Sequence, residues 1–492
     1  MSGVRWRVHF TRRQLTLPCG RRPLLDELDV VELEAWLGSE GIREGVPCLF
    51  APDGSYDADL NSYFLTNPAP ENTQAATAYD LARFFTFLWC HREPLGTRGW
   101  RDARPVDRVA YHHWRRLEEQ GPGVKGSTWA REVATTNKFY KWAVGSGFVS
   151  ENPILQRESR SRRGQSRREG GGDTPIETPK DSRTEDLAWL PPDSYRLWRD
   201  VGVRGYRPDG LPDRSFRGRH AARNALFCDL MVRTGMRLSE QASLTLFDVP
   251  DFDVHRRYVA TWLPSAIAKN ASGRRLYVPA AVLRELWDYI RVERQELVDS
   301  ARKRGTYDRI ERALVVEEPT VPAVTPSEPG ARRRSVETLD PRQRRNLLVR
   351  RPDGLEPAAL WLNNDGLPLC THSWQSMFAV ANVRCRKAGI GLRAHPHLLR
   401  HTYAVVTLEQ LQREHIRELN PMTAVQRMSY QQIFGDPLDW VRRRLGHRSV
   451  ETTFKYLHTL NELAMETRLA LVPDDWAAPV GQASDREENQ DQ

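Results

Sequence analysis

Six side chains between residues 237 and 456 carry the strongest chemical signal in this sequence. Arg237 lies in the run Thr234-Gly235-Met236-Arg237-Leu238-Ser239-Glu240. A glycine that stops a helix puts the next residues in a turn, where an arginine can point into a cleft from a rigid backbone. Lys269 opens Lys269-Asn270-Ala271-Ser272-Gly273 and is the only lysine between Lys180 and Lys303. The chain has eight lysines against 65 arginines. A lysine in that background suits a task that needs a transferable proton, because arginine stays protonated. In His395-Pro396-His397-Leu398-Leu399-Arg400-His401, His397 and Arg400 are three apart and share a helix face. His397 falls in the first turn, where free backbone N–H groups favour an anion. In Leu445-Gly446-His447-Arg448-Ser449, Gly446 stops one helix and Ser449 can cap the next. His447 then sits in the turn, and Tyr456 sits about two helical turns further on.

Taken singly, each residue has an ordinary reading: Arg237 a surface ion pair, Lys269 a solvated turn, Tyr456 half-buried packing. Together they supply two guanidiniums, a lysine, two imidazoles and a phenol, with no acidic cluster suited to Mg²⁺. A metal site from His395, His397 and His401 competes, but no cysteine or carboxylate ligand stands at useful spacing. No metal and no cofactor is expected. The set fits phosphoryl transfer. Two arginines can hold the non-bridging oxygens of a phosphodiester, each donor contributing roughly 3 kcal/mol. A phenol can attack phosphorus and keep the bond energy as a phosphotyrosine. Lysine can protonate the leaving oxygen.

Positioning such a set requires several elements. Helices are expected at Ala221–Thr234, Ala280–Leu297, Ser373–Lys387, His397–Gln412, Leu438–Leu445 and Ser449–Leu460. Tyr258–Leu263 and Arg274–Val278 read as strands of a hairpin around Lys269. Upstream, Ala78, Leu81, Ala82, Phe85, Leu88 and Trp89 repeat at three- and four-residue steps. A second helix is expected from Ser127 to Val144. Residues 73–155 thus form a small helical domain whose Arg131, Lys138 and Lys141 give it a basic side. Residues 1–70 form an extension with no job legible from composition.

Residues 156–186 read as a flexible basic linker, arginine-rich at Arg160, Arg162 and Arg163 and poor in apolar residues. A second globular region covers 187–472, with a Pro-, Glu- and Arg-rich surface insert at about 300–350. Residues 473–492 form an acidic tail. The chain of 492 residues accommodates two or three domains. Its net charge of +9 and its preference for arginine fit a nucleic-acid partner. No apolar run is long enough to span a membrane. The six cysteines form no CxxC pair, which fits reduced thiols in a cytosol.

The ordered set TGMRLSE, a hairpin lysine, HLLRHTYA and LGHRSVETTFKY resembles the tyrosine recombinases, or phage integrases, over roughly 75–155 and 187–470. The resemblance implies a mainly α, α+β fold with a small β-hairpin or sheet: a helical core-binding (SAM-like) domain plus a tyrosine-recombinase catalytic domain. It implies that Arg237 and Arg400 hold the scissile phosphate and that Lys269 acts as general acid on the leaving 5′ oxygen. His397 would assist proton transfer from the tyrosine, His447 would bond the phosphate, and Tyr456 would form a 3′-phosphotyrosyl link. The expected partners are double-stranded DNA attachment sites, a homotetramer on that DNA, and accessory bending or directionality factors. The expected location is the bacterial cytoplasm, at the nucleoid. Two alternatives share the features: a type IB-like topoisomerase, and a catalytically inactive architectural DNA-binding protein.

Overall fold

The computed structural model describes residues 4–11, 39–157, 174–179, 187–253, 255–310, 313–325, 332–419 and 436–469. Arg160, Arg162, Arg163 and the acidic tail lie outside them. The chain divides into two compact units, Met1–Glu185 and Asp186–Gln492.

In the first unit, β1 (Arg7–Phe10) pairs antiparallel with β2 (Pro47–Phe50). Then come α1 (Ala58–Thr66), α2 (Glu71–His91), α3 (Pro105–His112) and α4 (Gly126–Gly145). The expected helices at 73 and 127 correspond to α2 and α4. The described part of residues 1–70 is not a separate extension. Trp6, Val46 and Leu49 share one core with Phe84, Phe85, Trp129 and Phe139 of the helices. Asn61 of α1 ties β2 down, accepting from Leu49 N at 2.7 Å and donating to Leu49 O at 3.0 Å. Burying these apolar faces drives the docking.

The described residues of the expected linker form structure. β3 (Gln156–Arg157) pairs with β4 (Thr174–Pro175), and Glu177 accepts from Arg108 at 3.1 and 3.0 Å. Trp129 donates its indole N–H to Glu177 O at 2.9 Å. A buried arginine and an indole needing partners account for this return of the chain onto the helices.

The second unit begins with α5 (Pro192–Trp198), α6 (Ala221–Thr234) and the short α7 (Leu238–Ala242). Strands β5 (Tyr258–Leu263) and β6 (Arg274–Pro279) form the expected hairpin, with Leu263 opposite Arg274. Helix α8 (Ala280–Tyr289) continues through a wide turn into α9 (Gln295–Lys303), past the expected end at Leu297.

The insert is not a surface loop. Strand β7 (Leu314–Val316) is followed by the pair β8 (Ala323–Val324) and β9 (Arg334–Ser335), and by α10 (Pro341–Arg345). Then β10 (Leu347–Arg351) and β11 (Gly354–Pro357) complete a three-stranded sheet with β7, in the order β11-β10-β7. Val316, Val324, Val336, Leu339, Leu347 and Val349 form its own core. Arg344 is 1% exposed and donates to Asp248 at 2.7 Å, tying the insert to the turn after α7.

Four helices follow: α11 (Thr371–Lys387), α12 (Pro396–Leu419), α13 (Pro437–Leu445) and α14 (Glu451–Leu469). Tyr403, Leu408, Leu438, Val441, Leu445, Tyr456 and Leu460 share a core that knits the last three together. The main core of the unit lies around α6, the hairpin, α8 and α11.

Candidate active site

Two glycines shape the site from below. Gly235 ends α6 at φ +65, and a Cβ there would lie 2.4 Å from the Tyr403 ring. Only glycine fits both the backbone and the space. The chain turns sharply, and Arg237 becomes the N-cap residue of α7. Gly446 ends α13 at φ +63, against Ser272 and Arg274 of the hairpin. That turn presents His447.

One carboxylate organises the cationic side. Glu240, fully buried, accepts from Arg237 N and Arg237 Nη1, both at 2.9 Å. It also accepts from Arg274 at 3.2 and 2.6 Å. Burial alone would raise its pKa, but the Arg274 and Arg237 guanidiniums outweigh that and hold it at about 2. Arg274 reaches on to Arg444 O at 2.7 Å, joining the hairpin to the end of α13. Lys269 sits exposed on the hairpin turn, its backbone N–H 3.4 Å from Glu240.

Arg400 is 2% exposed. It donates to the carbonyls of Gly235 and Leu445, the C-terminal ends of α6 and α13, and to His447 Nε2 at 3.3 Å. Those carbonyls carry negative helix-end charge and suit a guanidinium. Three of its five N–H donors are thereby used, leaving two for an anion. Burial, then the charges of Arg237 and Arg274, lower its pKa to about 9, so it stays cationic at neutral pH. Because Arg400 can only donate, His447 Nε2 must be the acceptor. The ring's Nδ1–H then donates to Thr453 Oγ1 at 3.0 Å. Burial and the nearby arginines push His447 down to about 3, keeping it neutral.

Tyr456 lies on the buried face of α14 with Thr453 and Leu460, at the three- and four-residue steps of one helix stripe. It is 1% exposed, and its ring runs nearly parallel to His447 with centroids 6.2 Å apart. Burial pushes its phenol up to about 12, against the pull of Arg400 and Arg237. The phenol's hydrogen bond goes to His401 Nδ1, at 3.0 Å. His397 is exposed at the start of α12, its ring 4.1 Å from that of His401. Burial, then the Lys455 and Arg400 charges, lower His397 to about 4.

The second unit thus gathers Arg237, Arg400, His447 and Tyr456, with His397 beside His401 and Lys269 on the adjoining turn. Four further residues belong to the cluster: Glu240, Arg274, His401 and Lys455. Glu240 stands three residues after Arg237, and Arg274 opens the strand after the Lys269 turn, spacings that could have flagged both. His401 directly follows Arg400 and lies one helical turn from His397. Lys455 precedes Tyr456, its ammonium 5.2 Å from the phenol ring centre, and is held below the usual lysine range by burial and by Arg400. Its side chain gave no sequence signal of its own. In the first unit, Lys138 and Lys141 are exposed on α4, while Arg131 pairs with the buried Asp80. Among the described residues, no group of three or more His, Cys, Asp or Glu could hold a metal.

Arg237 and Arg274 pair with the carboxylate of Glu240, and Arg400 and Lys455 add two more cations to the same cluster. Such an excess of buried positive charge is relieved by an incoming anion, and a phenol stands beside it. The arrangement suits nucleophilic attack on a phosphate ester.

Residues 213–411 match the Phage integrase family. No curated protein matches the chain. Among solved structures, XerA recombinase is 14% identical, with 83% of this chain and 96% of that chain covered, at a TM-score of 0.30. The Tn1549 transposon integrase in complex with a circular intermediate DNA is 13% identical over 84% and 98%, at 0.44. A lambda integrase dimer bound to a COC′ core site is 12% identical over 80% and 91%, at 0.39.

Proposed function

We propose, from the match of residues 213–411 to the Phage integrase family and from the site's geometry, that the chain is a site-specific DNA recombinase that cuts and rejoins strands through a 3′-phosphotyrosyl link at Tyr456. The observation that carries the reading is the phenol of Tyr456 standing beside a cluster of cations held together from four separate stretches of chain. In this reading, Arg237 and Arg400 hold the scissile phosphate and stabilise its pentacovalent state. His447, fixed by Arg400 and Thr453, orients against it. Lys269 protonates the leaving 5′ oxygen. Lys138 and Lys141 contact the backbone of double-stranded DNA, which tetrameric assemblies at attachment sites bring together with accessory bending factors. The protein acts at the nucleoid of a bacterial cytoplasm. Among the described residues, no helix is long and apolar enough to cross a membrane.

The test uses duplexes nicked beside candidate cleavage points in the DNA flanking the protein's own gene. The nick lets the short 5′ fragment escape and traps the covalent complex. The native chain should give a protein–DNA band that survives denaturant, and Tyr456→Phe should give none. A band of equal yield from Tyr456→Phe would move the nucleophile elsewhere.

A further inference from the structure

We infer that His401, rather than His397, takes the proton from the Tyr456 phenol as that phenol attacks DNA; the inference rests on the reading of Tyr456 as nucleophile.

The Tyr456 oxygen is the reacting atom, and its hydrogen bond runs to His401 Nδ1 at 3.0 Å. That distance is already within reach for proton transfer. The donor direction follows from the surroundings. The phenol is buried and holds its proton tightly, and the imidazole is buried among cations and stays neutral. The phenol therefore donates, and Nδ1 accepts with its lone pair. His401 is 8% exposed, whereas His397 lies exposed at the helix start. The helix spacing explains the exchange. On α12 the four-residue step from His397 to His401 carries the imidazole one turn along, beneath α14 and level with Tyr456. His397 sits beyond that turn, its ring against the His401 ring at 4.1 Å.

The step balances with groups that the chain itself supplies. The Tyr456 oxygen forms a bond to phosphorus as its proton moves to His401 Nδ1. The bond from phosphorus to the leaving 5′ oxygen breaks, and that oxygen takes a proton from a lysine. Rejoining reverses each transfer: the lysine recovers its proton, and His401 returns one to the phenol oxygen. The charged and titratable groups facing His401 are His395 just before its helix, His397 and Arg400 on that helix, and Lys455 and Tyr456 of α14. Three of these are imidazole or phenol; burial, and after it the two cations, keep His401 neutral until the negatively charged phosphate arrives. The arriving charge offsets those cations and lets the imidazole accept.

The test compares His401→Ala, His401→Gln and His397→Ala in the full chain, measuring single-turnover cleavage of the nicked duplex. Loss of a general base costs on the order of 10²–10⁴-fold. His401→Ala and His401→Gln should each lose that much while still binding the duplex, and His397→Ala should lose less. A base can be told from a brace by chemistry. A fluorinated tyrosine placed at position 456 ionises more easily and needs less help. It should restore most of the rate to His401→Ala. A leaving 5′ oxygen replaced by sulfur relieves the acid instead, and should not restore it. His401→Gln keeps a polar side chain at the position if the alanine variant fails to fold. Equal rates for His401→Gln and the native chain would overturn the inference, as would a His401→Ala defect that fluorination leaves untouched. Failure of the Tyr456 reading looks different: Tyr456→Phe would still form the covalent band.

Discussion

Glu240 shows how a single residue sets the charge of the whole site. It neutralises one positive charge out of the four that Arg237, Arg274, Arg400 and Lys455 bring, and leaves the rest for an anion. The same crowding makes the site sensitive to acid. His401 and His447 have folded pKa values of about 3, below their usual 6.5. A histidine whose folded pKa is depressed binds more protons when unfolded, so its contribution to stability shrinks as pH drops below 6.5 and is gone below about 3. For one imidazole held neutral, that is about 2 kcal/mol at pH 5. Glu240, depressed to about 2, adds its own loss only as pH falls below its usual 4.5. Between pH 6.5 and 4.5, then, the histidines lower stability before Glu240 does. The unfolding midpoint of the DNA-free protein should decline across that window, and His401→Gln should make the decline shallower. A flat profile there would show that the imidazoles are not held neutral.

At the scale of elements, the site depends on turns more than on helices. Gly235 places Arg237, and Gly446 places His447. Gly235→Ala should cost roughly 1–2 kcal/mol from the left-handed backbone alone, and more from the clash with the Tyr403 ring. Both the denaturant midpoint and the yield of covalent complex should fall. A variant equal to the native chain in both would show that Arg237 does not depend on this turn. The helices and the hairpin were legible because their apolar residues recur at helical or alternating steps, and because glycines mark their ends. The insert was not. Apart from Val315-Val316 its valines stand singly among prolines, acids and arginines, too sparse for a period, and only the fold brings Val316, Val324, Val336 and Val349 together. The N-terminal strands escaped for the same reason: β1 and β2 are four residues each and gain their burial from α2. At the site, single residue types with a known chemistry stood out, while Glu240, Arg274 and His401 looked like ordinary charges until the chain folded them onto the others.

At the scale of the whole molecule, the chain spends few lysines and many arginines, and carries a net charge of +9. That balance favours a polyanionic partner, and it agrees with a site that is itself short of negative charge. The first unit buries aromatic residues around α2 and α4, and the second gathers the reactive groups. The proposed cutting and rejoining of DNA through Tyr456 would tie these features to one covalent event. The most direct check is to trap the complex on a nicked duplex, digest it with protease and nuclease, and identify the residue that retains a nucleotide by mass spectrometry. The expected product is a single peptide carrying the nucleotide on Tyr456. A nucleotide found instead on Tyr403 or Tyr430, or on no tyrosine, would contradict the account.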